Sequence, residues 1–407
     1  MSIRPSPKTL PMSITTPSQE TETEAVQREP YSLRAFMLYF LRLGALGFGG
    51  PIALAGYMQR DLVETRGWIE KKDYDEGLAL AQLSPGPLAA QLAIYLGWLR
   101  GRVLGAALVS LAFIAPSFVM VVSLAAFYVS FGGLPWMQGA FYGVGASVIA
   151  IIGRSAHNLL KKTLKRDGLL WAIAAVNAAT TVLTRSEVVW LVVLGGVVTL
   201  TVRFRSSAPP VAAIVPLPIF WLSGLHGPAT SATLGKVLAY FASAGVFVFG
   251  SGLAIVPFLH GGVVESRHWL SEQQFLDAVA VAMITPGPVV ITVAFIGYLV
   301  AGPAGAVMAS IGVFVPCFCI VVLAAPHYRR FAGQGRVKAF VEGVTAGAVG
   351  AIAGAVIVLA RKSLIDPIAI GIAVSSLLLL LRAKKLPEPL LILGAALVGV
   401  AVKELHR

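Results

Sequence analysis

The chain has 407 residues, 57% hydrophobic and 13% charged, with a formal net charge of +13 and a mean hydropathy of +0.81. Soluble domains carry about a quarter charged residues, so this balance excludes an ordinary soluble protein. The positive charge does not indicate a nucleic-acid partner. The basic residues sit mostly in short loops between apolar runs, which is the positive-inside pattern.

Residues 1–32 are Pro-, Ser-, Thr- and Glu-rich and read as a disordered cytoplasmic tail. They hold no charged start, apolar core and cleavage site in series, so no cleaved signal peptide is expected. Apolar runs then follow to the end of the chain. The first half predicts helices over 35–57, 76–99, 103–129, 138–156, 168–184 and 187–203. The second predicts them over 237–259, 277–300, 303–325, 340–360, 364–381 and 387–402. Between them, 209–227 is barely long enough to cross.

The two halves are copies. Phe40, Gly44, Phe48, Gly49, Glu64, Arg66, Trp68, Pro85, Gly86 and Pro87 recur 201 residues later, as Phe241, Gly245, Phe249, Gly250, Glu265, Arg267, Trp269, Pro286, Gly287 and Pro288. After one deletion the offset is 200, and Gly105, Pro116, Gly143 and Lys162 recur as Gly305, Pro316, Gly343 and Lys362. The expected organisation is a first repeat over 33–205, a linker over 206–236 with an extra span, and a second repeat over 237–407. Internal repeats with matching helix breaks are a mark of secondary transporters.

Loop charges bear on orientation. In the first half the loops after the second and fourth helices are the more basic, with Arg100, Arg102, Arg154, Lys161, Lys162, Lys165 and Arg166. In the second half the alternate set is the more basic, with Arg267, Arg329, Arg330, Arg336, Lys338, Arg382, Lys384 and Lys385. Reversal of the bias predicts inverted repeats, about 13 transmembrane helices, a cytoplasmic N-terminus and an extracytoplasmic C-terminus. The alternative is a parallel pair with twelve spans.

Two motifs in each half could carry chemistry. Gly47-Phe48-Gly49-Gly50-Pro51 and Ser84-Pro85-Gly86-Pro87 stand in the first, Phe249-Gly250-Ser251-Gly252 and Thr285-Pro286-Gly287-Pro288 in the second. Pro-Gly-Pro removes backbone donors and breaks a helix. In lipid, such a break is tolerated where it is buried or lines a cavity. Each break creates a half-helix N-terminus that suits an anion without a basic side chain. Ser84 and Thr285 stand where an N-cap hydroxyl belongs. The substrate-binding candidates are Gly49, Gly50, Gln82, Ser84, Gly86, Gln91, Gly250, Ser251, Thr285 and Gly287. The competing reading is close helix packing by small residues.

Ionisable residues in the spans are few. Arg42 either snorkels to the surface or faces the pathway. Glu342 is a candidate proton carrier, or a helix cap. Glu64 and Arg66, echoed by Glu265 and Arg267 beside an interfacial Trp, suit a salt-bridged loop or a gate. Gln82 and Gln91 suit substrate or a neighbouring helix, and Asn177 suits interhelical bonding. Cys317 and Cys319 lie in an apolar run with no metal constellation. No Walker loop, zinc motif or nucleophile elbow occurs. Neither an enzyme nor a cofactor is expected, and transport must draw on a gradient.

The "GFGGP" at Gly47–Pro51, Trp68, the "QLSPGP" at Gln82–Pro87 and the "TPGP" at Thr285–Pro288 resemble the chromate ion transporter (CHR) family, long two-domain type. The resemblance covers about residues 33–402. The second repeat departs from it, with Leu253 after Phe249-Gly250-Ser251-Gly252 and no proline matching Pro51. The resemblance implies a multi-pass protein of the bacterial inner membrane that exports chromate and confers resistance. Its partners would be chromate and the lipid bilayer, and a homodimer is compatible with it. The residues themselves leave a sulfate or other oxyanion carrier, and a passive anion channel, as alternatives.

Overall fold

The computed structural model describes residues 32–48, 50–131, 135–184, 188–204, 230–247, 255–328, 335–383 and 388–405. All of the expected 1–32 tail but Ser32, the span over 209–227, and Gly49, Gly250 and Ser251 lie outside the described residues. The described elements are all helical.

The first repeat holds α1 (Leu33–Leu46), α2 (Gly50–Met58), α3 (Lys71–Leu83), α4 (Leu88–Phe131), α5 (Pro135–Leu164), α6 (Gly168–Thr184) and α7 (Val189–Arg203). The second holds α8 (Ser231–Phe247), α9 (Ile255–Leu259), α10 (Glu272–Ile284), α11 (Thr292–Ala324), α12 (Gly335–Ser363), α13 (Pro367–Arg382) and α14 (Glu388–Leu405). Local chemistry sets the ends. Ser32 caps α1 by accepting from the Ala35 amide at 3.1 Å, and Ser271 with Gln274 closes a capping box on α10. Asp366 followed by Pro367 starts α13. α2 and α9 each run on into one π-helical segment, Gln59–Thr65 and His260–Ser266, at the same place in each repeat.

Four of the segments expected to run straight fold back on themselves. Tyr39 Oη donates to Asp61 Oδ2 at 3.4 Å, and the Phe36 and Trp68 rings lie 6.2 Å apart. A straight helix would part residues 39 and 61 by about 33 Å, so α1 and α2 form a hairpin with its tip at Gly47–Gly50. Tyr240 Oη donates to the Phe258 carbonyl at 3.0 Å, which closes the matching hairpin of α8 and α9. Gly77 packs on the Tyr95 ring, so α3 and the first arm of α4 form a hairpin about Ser84–Pro87. Asp277 and Phe295 both touch Tyr128, which places the two sides of the Thr285–Pro288 break at one level.

α4 and α11 are themselves bent double. Gly97 packs on Gly105 and Val109, and Gly297 on Gly305 and Ala309. Residues eight apart in a helix lie about 12 Å apart, so the chain reverses at Gly101–Arg102 and at Ala301–Gly302. Glycine at 97, 105, 297 and 305 lets the backbones touch.

The remaining helices are exchanged between repeats. α5 packs on α13 and α14, while α12 packs on α6 and α7. Small residues seat both exchanges: Gly143 on Ala395 and Gly399 on Gly139, then Gly343 on Gly195 and Gly350 on Ala174. Among the described residues, four helical stretches are long and apolar enough to cross a membrane: Leu88–Phe131, Trp136–Leu164, Val289–His327 and Gly335–Ser363. Leu111, Val119, Leu323 and Leu397 stand exposed on the outside. That surface suits lipid.

Candidate functional site

The helix breaks meet between the repeats. The Gly287 amide donates to the Gly47 carbonyl at 2.8 Å, joining a break of the second repeat to the tip of the first hairpin. Ser117 on α4 donates to the Gly44 carbonyl at 3.1 Å, and its hydroxyl occupies the place a Cβ on Gly287 would need. The arrangement is mirrored. Cys317 on α11 lies 200 residues after Ser117. Its thiol donates to Val313 and Gly245 carbonyls, and a Cβ on Gly86 would lie 2.7 Å from its sulfur. Gly86 and Gly287 have φ of +130° and +99°, open to glycine and strained for other residues.

Each break starts a new helix. The Gln91 amide is bonded to the Pro87 carbonyl. The amides of Leu88, Ala89 and Ala90 therefore come before the first helical return and have no acceptor in their own helix. The Gln91 side chain is fully buried; Nε2 donates to the Pro85 carbonyl and Oε1 has no partner among the described residues. Buried amide and polar groups in that state favour a ligand with complementary oxygens or donors.

Ser84 and Thr285 are not N-caps. They are the C-caps of α3 and α10, their amides returning to Leu80 and Val281. The Thr285 hydroxyl also turns back, to the Val281 carbonyl at 2.6 Å. The helix restarts beyond the second proline in each copy, because Pro-Gly-Pro holds extended backbone for the length of the break. Gln82 is exposed on α3, away from the buried Gln91.

A cationic groove of about 450 Å³ runs along the first hairpin to its tip, lined by Tyr39, Arg42, Gly47, Arg60, Asp61 and Arg66 among others. Arg60 pairs with Asp61 at 2.9 Å. The Arg66 guanidinium stacks on Trp68, 4.6 Å from the ring centroid. Gly50 begins α2 with φ +74°.

The family model for chromate transporters matches residues 34–200 and again 235–400. The chain is 55% identical over 397 residues to the chromate transport protein of Cupriavidus metallidurans, covering 96% of this chain and 98% of that one. It is 33% identical over 403 residues to the chromate transport protein of Pseudomonas aeruginosa, covering 94% and 96%. This chain belongs to the chromate transporter family. No solved structure matches it.

Within this member of the family the two hairpins differ. The matches of Arg42, Arg60 and Asp61 are Ser243, Gly261 and Gly262, so Arg267 alone persists in the second repeat. It stacks over Tyr240 at 4.2 Å from the ring centroid. Glu64 accepts from Gln59 Nε2 at 3.1 Å. Its copy Glu265 joins a cluster with His260, Glu272 and Lys362, in which Lys362 Nζ bonds both carboxylates and His260 lies 2.7 Å from Glu272. The nearest side-chain N and O atoms of His260, Glu265 and Glu272 lie within 4.8 Å of one another. Lys362 supplies the positive charge that the two carboxylates require.

Glu342 forms an ion pair with Arg203, which also binds Asp167. That network ties α7 to α12 and to the start of α6. It makes Glu342 an engaged structural partner, not a carboxylate standing alone. Asn177 donates to the Ile173 carbonyl within its own helix. Sequence reasoning missed Ser117, Cys317 and Asp277. The signal for the first two was the residue after each matched proline, Pro116 and Pro316. The signal for Asp277 was an acid inside an otherwise apolar run.

Proposed function

We propose that this protein exports chromate across the bacterial inner membrane, driven by an ion or potential gradient, with the oxyanion held where the helix breaks meet. The observation that carries the reading is the convergence of breaks from both repeats, Gly287 onto Gly47 and Ser117, Gly86 onto Cys317. Backbone amides at half-helix N-termini attract a dianion without a fixed cation. A bound dianion can then leave again, which a tight cluster of guanidiniums would prevent. The groove of Arg42, Arg60 and Arg66 would gather the anion on one face and steer it to the tip. Arg42 and Arg60 have no basic counterparts in the second repeat, which supports net movement away from that face.

We read the repeats as inverted, with boundaries near 33–205 and 237–407. Along α4, Ser117 meets the Gly287 break, and Tyr128, eleven residues on, meets Asp277, ten residues before that break. At the other end the charge of Glu76 acts on Tyr328. These contacts favour hairpins entering from opposite faces. On this reading the hairpins are re-entrant. The crossings are the long arms of α4 and α11, then α5, α6, α7, α12, α13, α14 and the linker. That makes about nine crossings in place of the thirteen expected from hydropathy. The N-terminus is then cytoplasmic and the C-terminus extracytoplasmic, since the linker crosses once.

The test is chromate uptake into inside-out membrane vesicles, with and without a proton ionophore and with excess sulfate. Ionophore-sensitive, sulfate-resistant uptake is the expected result. Loss of the signal to sulfate identifies a general oxyanion carrier, for sulfate has the same charge and nearly the same shape. Flux that follows the anion's own gradient without saturation identifies a channel. No uptake overturns the substrate.

A further inference from the structure

We propose that Asp277 is the proton-carrying carboxylate of the transport cycle, an inference that rests on the transport reading above. Asp277 is 2% exposed, on α10. It accepts from Tyr128 Oη at 2.8 Å and from Gln273 Nε2 at 2.9 Å. Among the described residues it has no ion-pair partner. Burying a charged carboxylate without a cation is costly, and acids inside membrane proteins mark ion and proton pathways.

The surroundings suit two protonation states. The phenol and the amide both donate to the ionised carboxylate. Both can also accept a hydrogen bond from the protonated one, after a turn of the hydroxyl or of the amide. A lysine or arginine partner could not. The other nearby charges are committed elsewhere. Glu272 on the same helix binds His260 and Lys362, and Lys403 on α14 binds Gln138 of α5. α5 and α11 present Phe141 and Phe295 to the Tyr128 ring.

The position couples proton to substrate. Tyr128 belongs to the first repeat and Asp277 to the second, so this hydrogen bond joins the halves. Asp277 lies eight residues before Thr285, about 12 Å along the helix from the break. The first repeat places Glu76 at the matching position, close enough for its charge to act on Tyr328, the copy of Tyr128. One carboxylate thus flanks the breaks on each side. The step is a plain proton transfer: an O–H bond forms on Asp277 with a proton from water at one face, and the proton returns to water at the other.

The experiment uses the full chain in phosphatidylcholine–phosphatidylglycerol vesicles. Chromate flux is read with and without an imposed pH gradient, the membrane potential being clamped with potassium and valinomycin. A trapped pH dye reports proton movement. Wild type is expected to run several-fold faster with the gradient and to move protons with chromate. Asp277→Asn should lose both the acceleration and the chromate-linked proton signal. Asp277→Glu should keep both with a displaced pH profile, and Tyr128→Phe should displace the profile while flux persists. Retention of gradient acceleration by Asp277→Asn overturns the proposal. So does equal inactivity of Asp277→Asn and Asp277→Glu when both purify as folded, monodisperse protein, since the role is then structural. Wild-type chromate flux indifferent to the pH gradient overturns this proposal and leaves the transport reading standing. Absence of any chromate flux overturns the transport reading itself, and this proposal with it.

Discussion

Gly86 and Gly287 carry the most demanding residue-scale constraint. Their positive φ angles cost a side-chain-bearing residue roughly 1–3 kcal/mol. A side chain on Gly287 would also displace the Ser117 hydroxyl, and one on Gly86 would meet Gln91 Nε2 at 2.6 Å. Gly86→Leu or Gly287→Leu should therefore abolish chromate transport while the membrane level of protein, read by immunoblot, stays near normal. Normal transport by both variants would move the site elsewhere. The motif itself was legible, because Pro-Gly-Pro in an apolar run has few uses other than a break. Its capping was misread. Ser84 and Thr285 precede two prolines, and neither proline can return an amide to a helix that starts at the hydroxyl. The hydroxyl of Thr285 is left to serve the helix before it.

Hairpins are the element-scale feature that hydropathy could not reveal. An apolar run of about twenty residues has the same composition whether it crosses or turns back, and only its partner's position tells the two apart. Tyr39 on Asp61 and Tyr240 on Phe258 supply that information. The first hairpin also shows what side-chain placement adds. Arg42, Arg60 and Arg66 are spread over 25 residues and become one groove only when α2 returns along α1. Arg42→Gln with Arg60→Gln should raise KM for chromate several-fold at low ionic strength with little change in kcat. The difference should shrink in about 0.15 M salt, where the Debye length is about 8 Å. A fall in kcat with KM unchanged would place these arginines in the translocation step instead of collection.

The whole molecule is an exchange of parts between two copies. α5 is held by α13 and α14, and α12 by α6 and α7, so neither repeat completes its own bundle. The inverted reading makes a direct topological prediction. Cysteines introduced by Glu64→Cys and Glu265→Cys, each in a Cys319→Ser background that leaves only the buried native Cys317, should react with an impermeant maleimide from opposite faces. A C-terminal reporter should read extracytoplasmic. Labelling from the same face, or a cytoplasmic reading at Arg407, would sink the inverted arrangement.

The amino-acid sequence alone determined the solvent, the repeat and the breaks. These follow from composition, self-similarity and proline geometry, all of which are local or counted along the chain. It also carried the family, through motifs whose spacing is specific in combination. Tertiary structure decided which apolar runs turn back and which arginines share a groove. It decided that Ser117 and Cys317 sit on the glycines of the opposite repeat, and that Glu342 is spoken for by Arg203. It also decided that Asp277 faces a tyrosine 149 residues away and, among the described residues, no cation. Such facts depend on which side chains meet across the bundle, and meetings at that separation leave no periodic trace along the chain.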